Sequence, residues 1–234
     1  MAQPLADMAG TVARRPIHET PFWQGYMGSR YAILFYSLLF MLVAMPITIE
    51  FGLPQVGIKL MFAACLLLAV LPSVPKSSRL FLVTVILLLI LLRFASERDD
   101  VPIDFGPVLA LYALTGLLAA ASTLRFVVRS PVVDGETIYA ALSTYLLAGL
   151  FFGVLYTAIE FMRPGSFAGP DEFTDSAAVY YSFVTLATLG YGDFLPKSEL
   201  ARGIATFEVI GGQLYLAVMV ARLIGAFGAG EPDA

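Results

Sequence analysis

The stretch Thr185-Leu186-Ala187-Thr188-Leu189-Gly190-Tyr191-Gly192-Asp193 decides the fold. A short apolar run, 177–187, leads directly into it. A bilayer-crossing helix needs roughly 20 mostly apolar residues, so this run is too short to span. Gly190 and Gly192 then flank Tyr191. Glycine reaches positive φ without the steric cost that a Cβ imposes. The pattern therefore predicts a short helix entering and a glycine-rich, non-helical strand leaving. Non-helical backbone survives at membrane depth only where protein or a water-filled path surrounds it. The whole segment 162–200 reads as a re-entrant loop, opened by the turn signal Arg163-Pro164-Gly165 and an acidic stretch, Asp171, Glu172 and Asp175.

Working outward, an apolar span lies on each side of the loop, at 137–161 and 201–227. Four apolar segments precede them. They are 31–51; 57–71, which stops at Pro72; 80–92, flanked by Arg79 and Arg93; and 105–124, with Pro107 near its start. The second and third are short for a bilayer, so they must recruit flanking residues or tilt little. The expected fold class is an all-α membrane protein: six transmembrane helices, with a re-entrant pore helix and loop between spans five and six. The expected organisation is a cytoplasmic tail at 1–30, a four-span domain at 31–130, the loop-bearing domain at 131–228 and a short tail at 229–234, too small to fold. Phe22, Trp23 and Tyr26 suit a membrane boundary.

Composition agrees. Of 234 residues, 59% are hydrophobic and 14% charged, against about 25% charged in a soluble domain. One cysteine, Cys65, and one histidine, His18, rule out a disulfide framework within the chain and a His/Cys metal cluster. The net charge of -4 is spread along the chain and offers no nucleic-acid footprint. The spans hold no nucleophile–base pair or paired carboxylates, so an enzyme is not expected. Basic residues favour a cytoplasmic N-terminus, with Arg14, Arg15, Arg30, Lys76, Arg79, Arg125, Arg129 and Arg222 inside. Both termini are then cytoplasmic.

At this point 185–193 resembles the signature of potassium channels, and the resemblance extends over about 137–227, the pore module of that family. The chemistry fits the residues. A potassium ion gives up its water to rings of backbone carbonyls, one loop from each of four subunits. The resemblance implies a homotetramer in a prokaryotic plasma membrane, with membrane lipids and K+ as partners and no cofactor beyond the permeant ion. Thr188, Leu189, Gly190, Tyr191 and Gly192 form the implied filter, with K+ at the first four. Thr185, Tyr180, Tyr181 and Asp193 are implied support. Tyr180 and Tyr181 stand where many relatives carry two tryptophans, and their phenols are expected to bond Asp193 and Tyr191 respectively, or simply to pack. Leu189 replaces the family's usual valine, and Val184 a glutamate that some relatives place behind the filter.

Other residues carry two readings each. Gly212, beside Gly211, matches an inner-helix glycine read as a gating hinge or as a packing position. Glu208 lies within a span, where an ionisable group is a functional candidate; its height suggests a structural hydrogen bond. Glu160 is expected to brace the outer mouth. The front spans resemble a voltage-sensor domain in number, but 108–124 holds no Lys or Arg, whereas a sensor needs several. Arg125 and Arg129 follow that span and read as cytoplasmic anchors or lipid contacts. The expected function is passive K+ conduction. The alternatives are a weakly selective cation channel and a non-conducting regulatory subunit.

Overall fold

A computed structural model describes residues 21–52, 57, 60, 61, 63–65, 87 and 106–228. The expected span 80–92, apart from residue 87, and most of 57–71 lie outside the described residues, as do 1–20 and 229–234. Five helices and two very short strands are described in full: α1 (Pro21–Glu50), α2 (Gly106–Arg129), α3 (Gly135–Met162), β1 (Phe167–Ala168), α4 (Asp175–Leu186), β2 (Leu195–Pro196) and α5 (Glu199–Gly228). The described fold is thus mostly helical rather than strictly all-α. Among the described residues, four helices are long and apolar enough to cross a membrane: Ser29–Glu50, Gly106–Arg129, Gly135–Met162 and Glu199–Gly225.

Two boundaries differ from expectation. Helix α1 begins at Pro21 rather than 31, because nothing in 21–30 breaks a helix once the apolar run beyond it is fixed. Helix α2 continues to Arg129, so Arg125 and Arg129 sit on its last turns and not beyond it. Basic residues at a helix C-terminus meet the negative end of its dipole, which favours carrying the helix through them.

Local chemistry sets the ends of the pore-side elements. Asp134 caps α3 by accepting from the Thr137 N–H at 2.8 Å and the Thr137 hydroxyl at 2.6 Å. These bonds hold its carboxyl below the usual carboxylate range. Thr174 caps α4 by accepting from Ala177 N–H at 3.2 Å, and Asp175 follows in the first turn. Beyond α4, β1 and β2 pair antiparallel, Phe167 opposite Pro196 and Ala168 opposite Leu195. This ladder ties the segment before the short helix to the segment after the glycine strand, which closes 169–194 into a loop with fixed ends.

Helix α3 is the hub: α1, α2 and α4 all pack on it. Close approach comes from Gly149 and Gly153, one turn apart. A Cβ on Gly153 would lie 2.7 Å from the Val179 Cα, and one on Gly149 would lie 2.5 Å from the Phe183 ring. Val179 and Phe183 are likewise one turn apart, so two turns of α4 seat in two glycine notches. In lipid, helices associate through such packing rather than through a hydrophobic drive. Gly153→Ala places a methyl against backbone, and overpacking of this kind costs about 1–3 kcal/mol. The variant is expected to unfold in detergent at a lower temperature than Gly165→Ala, a control whose added Cβ meets nothing within 4 Å and whose strain is confined to a turn; equal losses would refute the notch.

Candidate functional site

Helix α4 stops at Leu186, and the chain after it does not continue as helix. Its last carbonyls are taken up by the turn that follows: Ala187 N–H donates to Phe183 at 2.9 Å and Thr188 N–H to Thr185 at 2.9 Å. Leu189 N–H donates to the Val184 carbonyl at 2.9 Å, and Gly190 N–H reaches the same oxygen at 3.4 Å. Helix ends carry orphan carbonyls that need partners. Here the partners are the first N–H groups of the glycine strand, which therefore hangs from the end of α4.

The strand has an alternating backbone. Positive φ occurs at Thr188 (58°), Gly190 (56°) and Gly192 (77°), whereas Leu189 and Tyr191 between them do not share it. The glycines were legible in the sequence. Thr188 was not: a β-branched residue at positive φ is an outlier and stores about 1–3 kcal/mol of strain, held in place by its neighbours. The Leu189 and Tyr191 side chains point away from any cover the single chain offers, and are 55% and 66% exposed.

The expected support residues divide. The Tyr180 hydroxyl faces Asp193, and its interaction holds the Asp193 carboxyl below the usual carboxylate range. Asp193 also accepts from Phe194 N–H at 3.0 Å. Tyr181 interacts through its hydroxyl with Thr185 of its own chain, and its ring lies buried in an aromatic cluster. Tyr156 meets it edge-on at 5.1 Å, and Phe167 at 5.3 Å. Phe167 in turn stacks on Phe173 at 4.1 Å. One helical turn separates Tyr181 from Thr185, so the local partner is the nearer one. The sequence reading missed Tyr156, Phe167 and Phe173, because nothing short of the fold brings residues from α3, β1 and the loop together.

The acidic candidates also find partners. Glu160 accepts from Gly165 N–H at 2.7 Å and Phe167 N–H at 3.0 Å, which fixes the turn after α3. Glu208, 1% exposed, bonds the Tyr156 hydroxyl at 2.5 Å and lies 2.5 Å from the Ser182 hydroxyl. Gly212 is a packing position: a Cβ there would lie 2.7 Å from Leu186 Cδ1 and 3.0 Å from the Leu186 carbonyl oxygen. Gly211, by contrast, faces open space. Further along α5, Tyr215 donates to the Ala141 carbonyl of α3 and Arg222 to the Ser130 carbonyl in the α2–α3 connection.

With this geometry in hand, comparison with known proteins is informative. Residues 140–228 match the family described as ion channel. They include α4, the glycine strand and α5. A relative of known type is the inward rectifier potassium channel Kirbac3.1 of Paramagnetospirillum magnetotacticum, 38% identical over 87 residues. Over this segment the chain is similar to that potassium channel. That match takes in 36% of this chain and 27% of the relative, so the chain spans about a quarter of the relative's length. No solved structure matches.

The Tyr180–Asp193 interaction has a pH signature. A carboxyl whose pKa is lowered on folding contributes stability that is complete above its ordinary pKa and is lost as pH falls through the lowered value. Tyr180→Phe is expected to move the acid limb of the stability–pH profile upward, toward the ordinary carboxylate range near 3.9. An acid limb that does not move would remove the interaction from the account.

Proposed function

We propose that four copies of this chain surround one axis and conduct potassium ions passively through rings of backbone carbonyls at Thr188, Leu189, Gly190 and Tyr191, with Gly192 closing the path. The observation that carries this reading is the alternation of φ along 188–192. Positive φ at every second residue is the backbone pattern that lets successive carbonyls face one axis. Carbonyls turned to one side, repeated around an axis, replace the water of a dehydrated cation.

What the single chain leaves uncovered supports the tetramer. Phe207, Ile210, Leu214 and Val218 recur at helical spacing along α5, and each is more than half exposed. A cavity of about 640 Å³ opens between the filter, α4 and α5, lined by Thr188, Gly190, Ala205 and Val209 among others. A second copy fills such a space and covers the exposed Tyr191 and Leu189 rows. Rotational symmetry then closes the ring. Tyr180, Tyr181, Thr185 and Asp193 hold the filter from behind, and Glu160 fixes the turn at its outer side. Lipid surrounds the outward faces. The proposed setting is a prokaryotic plasma membrane crossed several times, with both termini cytoplasmic.

The reading is tested by reconstituting the full chain in liposomes under opposed potassium and sodium gradients. The expected reversal potential lies near the potassium equilibrium value. A potential near zero with current present would replace the reading with a weakly selective cation channel. Silence in the reconstituted protein, with current restored only by another channel subunit, would favour a regulatory chain. Gly190→Ala is expected to abolish selectivity, since left-handed backbone costs an L-residue about 1–2 kcal/mol in each copy.

A further inference from the structure

Glu208 sits within the membrane span of α5 and is 1% exposed. Three oxygen–oxygen contacts converge on it and its neighbours. The Tyr156 hydroxyl is 2.5 Å from Glu208 Oε2. Ser182 Oγ is 2.5 Å from Glu208 Oε1 and 2.7 Å from the Gly149 carbonyl oxygen. Each distance is that of an O–H···O bond, and each such bond needs its own proton. Tyr156 and Ser182 supply one proton apiece, and the Gly149 carbonyl supplies none. An ionised Glu208 therefore leaves one of the three contacts as two lone-pair oxygens in van der Waals overlap.

We infer that Glu208 is held as a neutral carboxylic acid whose own proton completes this chain of bonds and ties α3, α4 and α5 together behind the filter. Tyr156 donates to Oε2, Glu208 Oε1 donates to Ser182 Oγ, and Ser182 donates to the Gly149 carbonyl. Three contacts then use three protons. Charge points the same way. Both of its side-chain partners are neutral hydroxyls, and a carboxylate buried without a cation is among the costliest groups a protein can hold. Nearby titratable groups on the packed elements, Tyr145 and Tyr156 on α3 and Tyr181 on α4, are phenols.

Glu208 is a positioning residue. It acts through Ser182, which lies two residues before Val184, the carbonyl from which the filter hangs. One turn further along both helices, Gly212 presses on Leu186. Pairs Ser182–Glu208 and Leu186–Gly212 therefore form two successive rungs between α4 and α5. Displacement of α5 cannot leave α4, and with it the filter, unmoved unless the Glu208 rung breaks.

The protonation state stands by itself; the effect on the filter rests on the conduction reading above. Infrared spectra of the full chain in lipid at neutral pH separate the two. The carbonyl stretch of a protonated carboxylic acid is expected in the wild type and is lost in Glu208→Gln. Absence of that difference overturns the neutral acid, whether or not the protein conducts. Glutamine keeps the network, because its amide N–H donates to Ser182 and its carbonyl accepts from Tyr156. Glu208→Gln is thus expected to retain the reversal potential and thermal stability, while Glu208→Ala moves the potential toward zero. Glu208→Gln behaving like Glu208→Ala would show that a charge is required there and overturn the proposal.

Discussion

Backbone that is neither helix nor sheet, at membrane depth, has to be held by protein on every side that water does not reach. Residues 187–192 are irregular backbone, proposed here to lie at that depth, and the surrounding elements bond it one group at a time. Their first N–H groups return to the end of α4, two of them to the single carbonyl of Val184. The β1–β2 ladder pins the loop ends, with Lys197 N–H adding a 2.7 Å bond to the Ser166 carbonyl. Asp193 is held from Tyr180. The strain at Thr188 is tolerable because so many fixed neighbours determine its conformation.

The support is layered by chemistry. On the outer side it is aromatic: Phe173, Phe167, Tyr181 and Tyr156 stack or meet edge-on, arrangements that add about 0.5–1.5 kcal/mol per pair beyond burial. Midway it is polar, through Glu208, Ser182 and Tyr156. Closer to the centre of α3 it is steric, through Gly149 and Gly153 against α4 and Gly212 against Leu186. Rigid, short-range contacts of these kinds suit an object whose function depends on positions fixed to a fraction of an ångström. Gly212 illustrates the point. Its space is already filled by Leu186, which fits the packing alternative of the two sequence readings, while the open side of Gly211 leaves room there.

Much of this was legible in the sequence, and the parts that were not have physical reasons. Gly190 and Gly192 are readable because positive φ selects glycine. The spans at α3 and α5 are readable from hydropathy alone. Gly149-Leu150-Phe151-Phe152-Gly153 is a packing signal of the small-xxx-small kind. Thr188 at positive φ, by contrast, leaves no trace in composition, since the strain is imposed by surroundings. The Tyr156–Glu208–Ser182 set joins three helices across sequence separations of 26 and 52 residues, which periodicity within one helix cannot reveal. For Tyr181 the helix offers Thr185 one turn away, a neighbour that a motif match does not reveal.

The central claim is that the alternating backbone of 188–191 presents its carbonyls to a dehydrated monovalent cation on the axis of an assembled tetramer. The most direct measurement is a structure of the full-length assembly prepared in thallium(I), read by anomalous scattering. The account predicts a row of anomalous peaks on a fourfold axis, each ringed by carbonyl oxygens of Thr188, Leu189, Gly190 and Tyr191. An assembly without a fourfold axis, or an axis with no peak between these carbonyls, would contradict it.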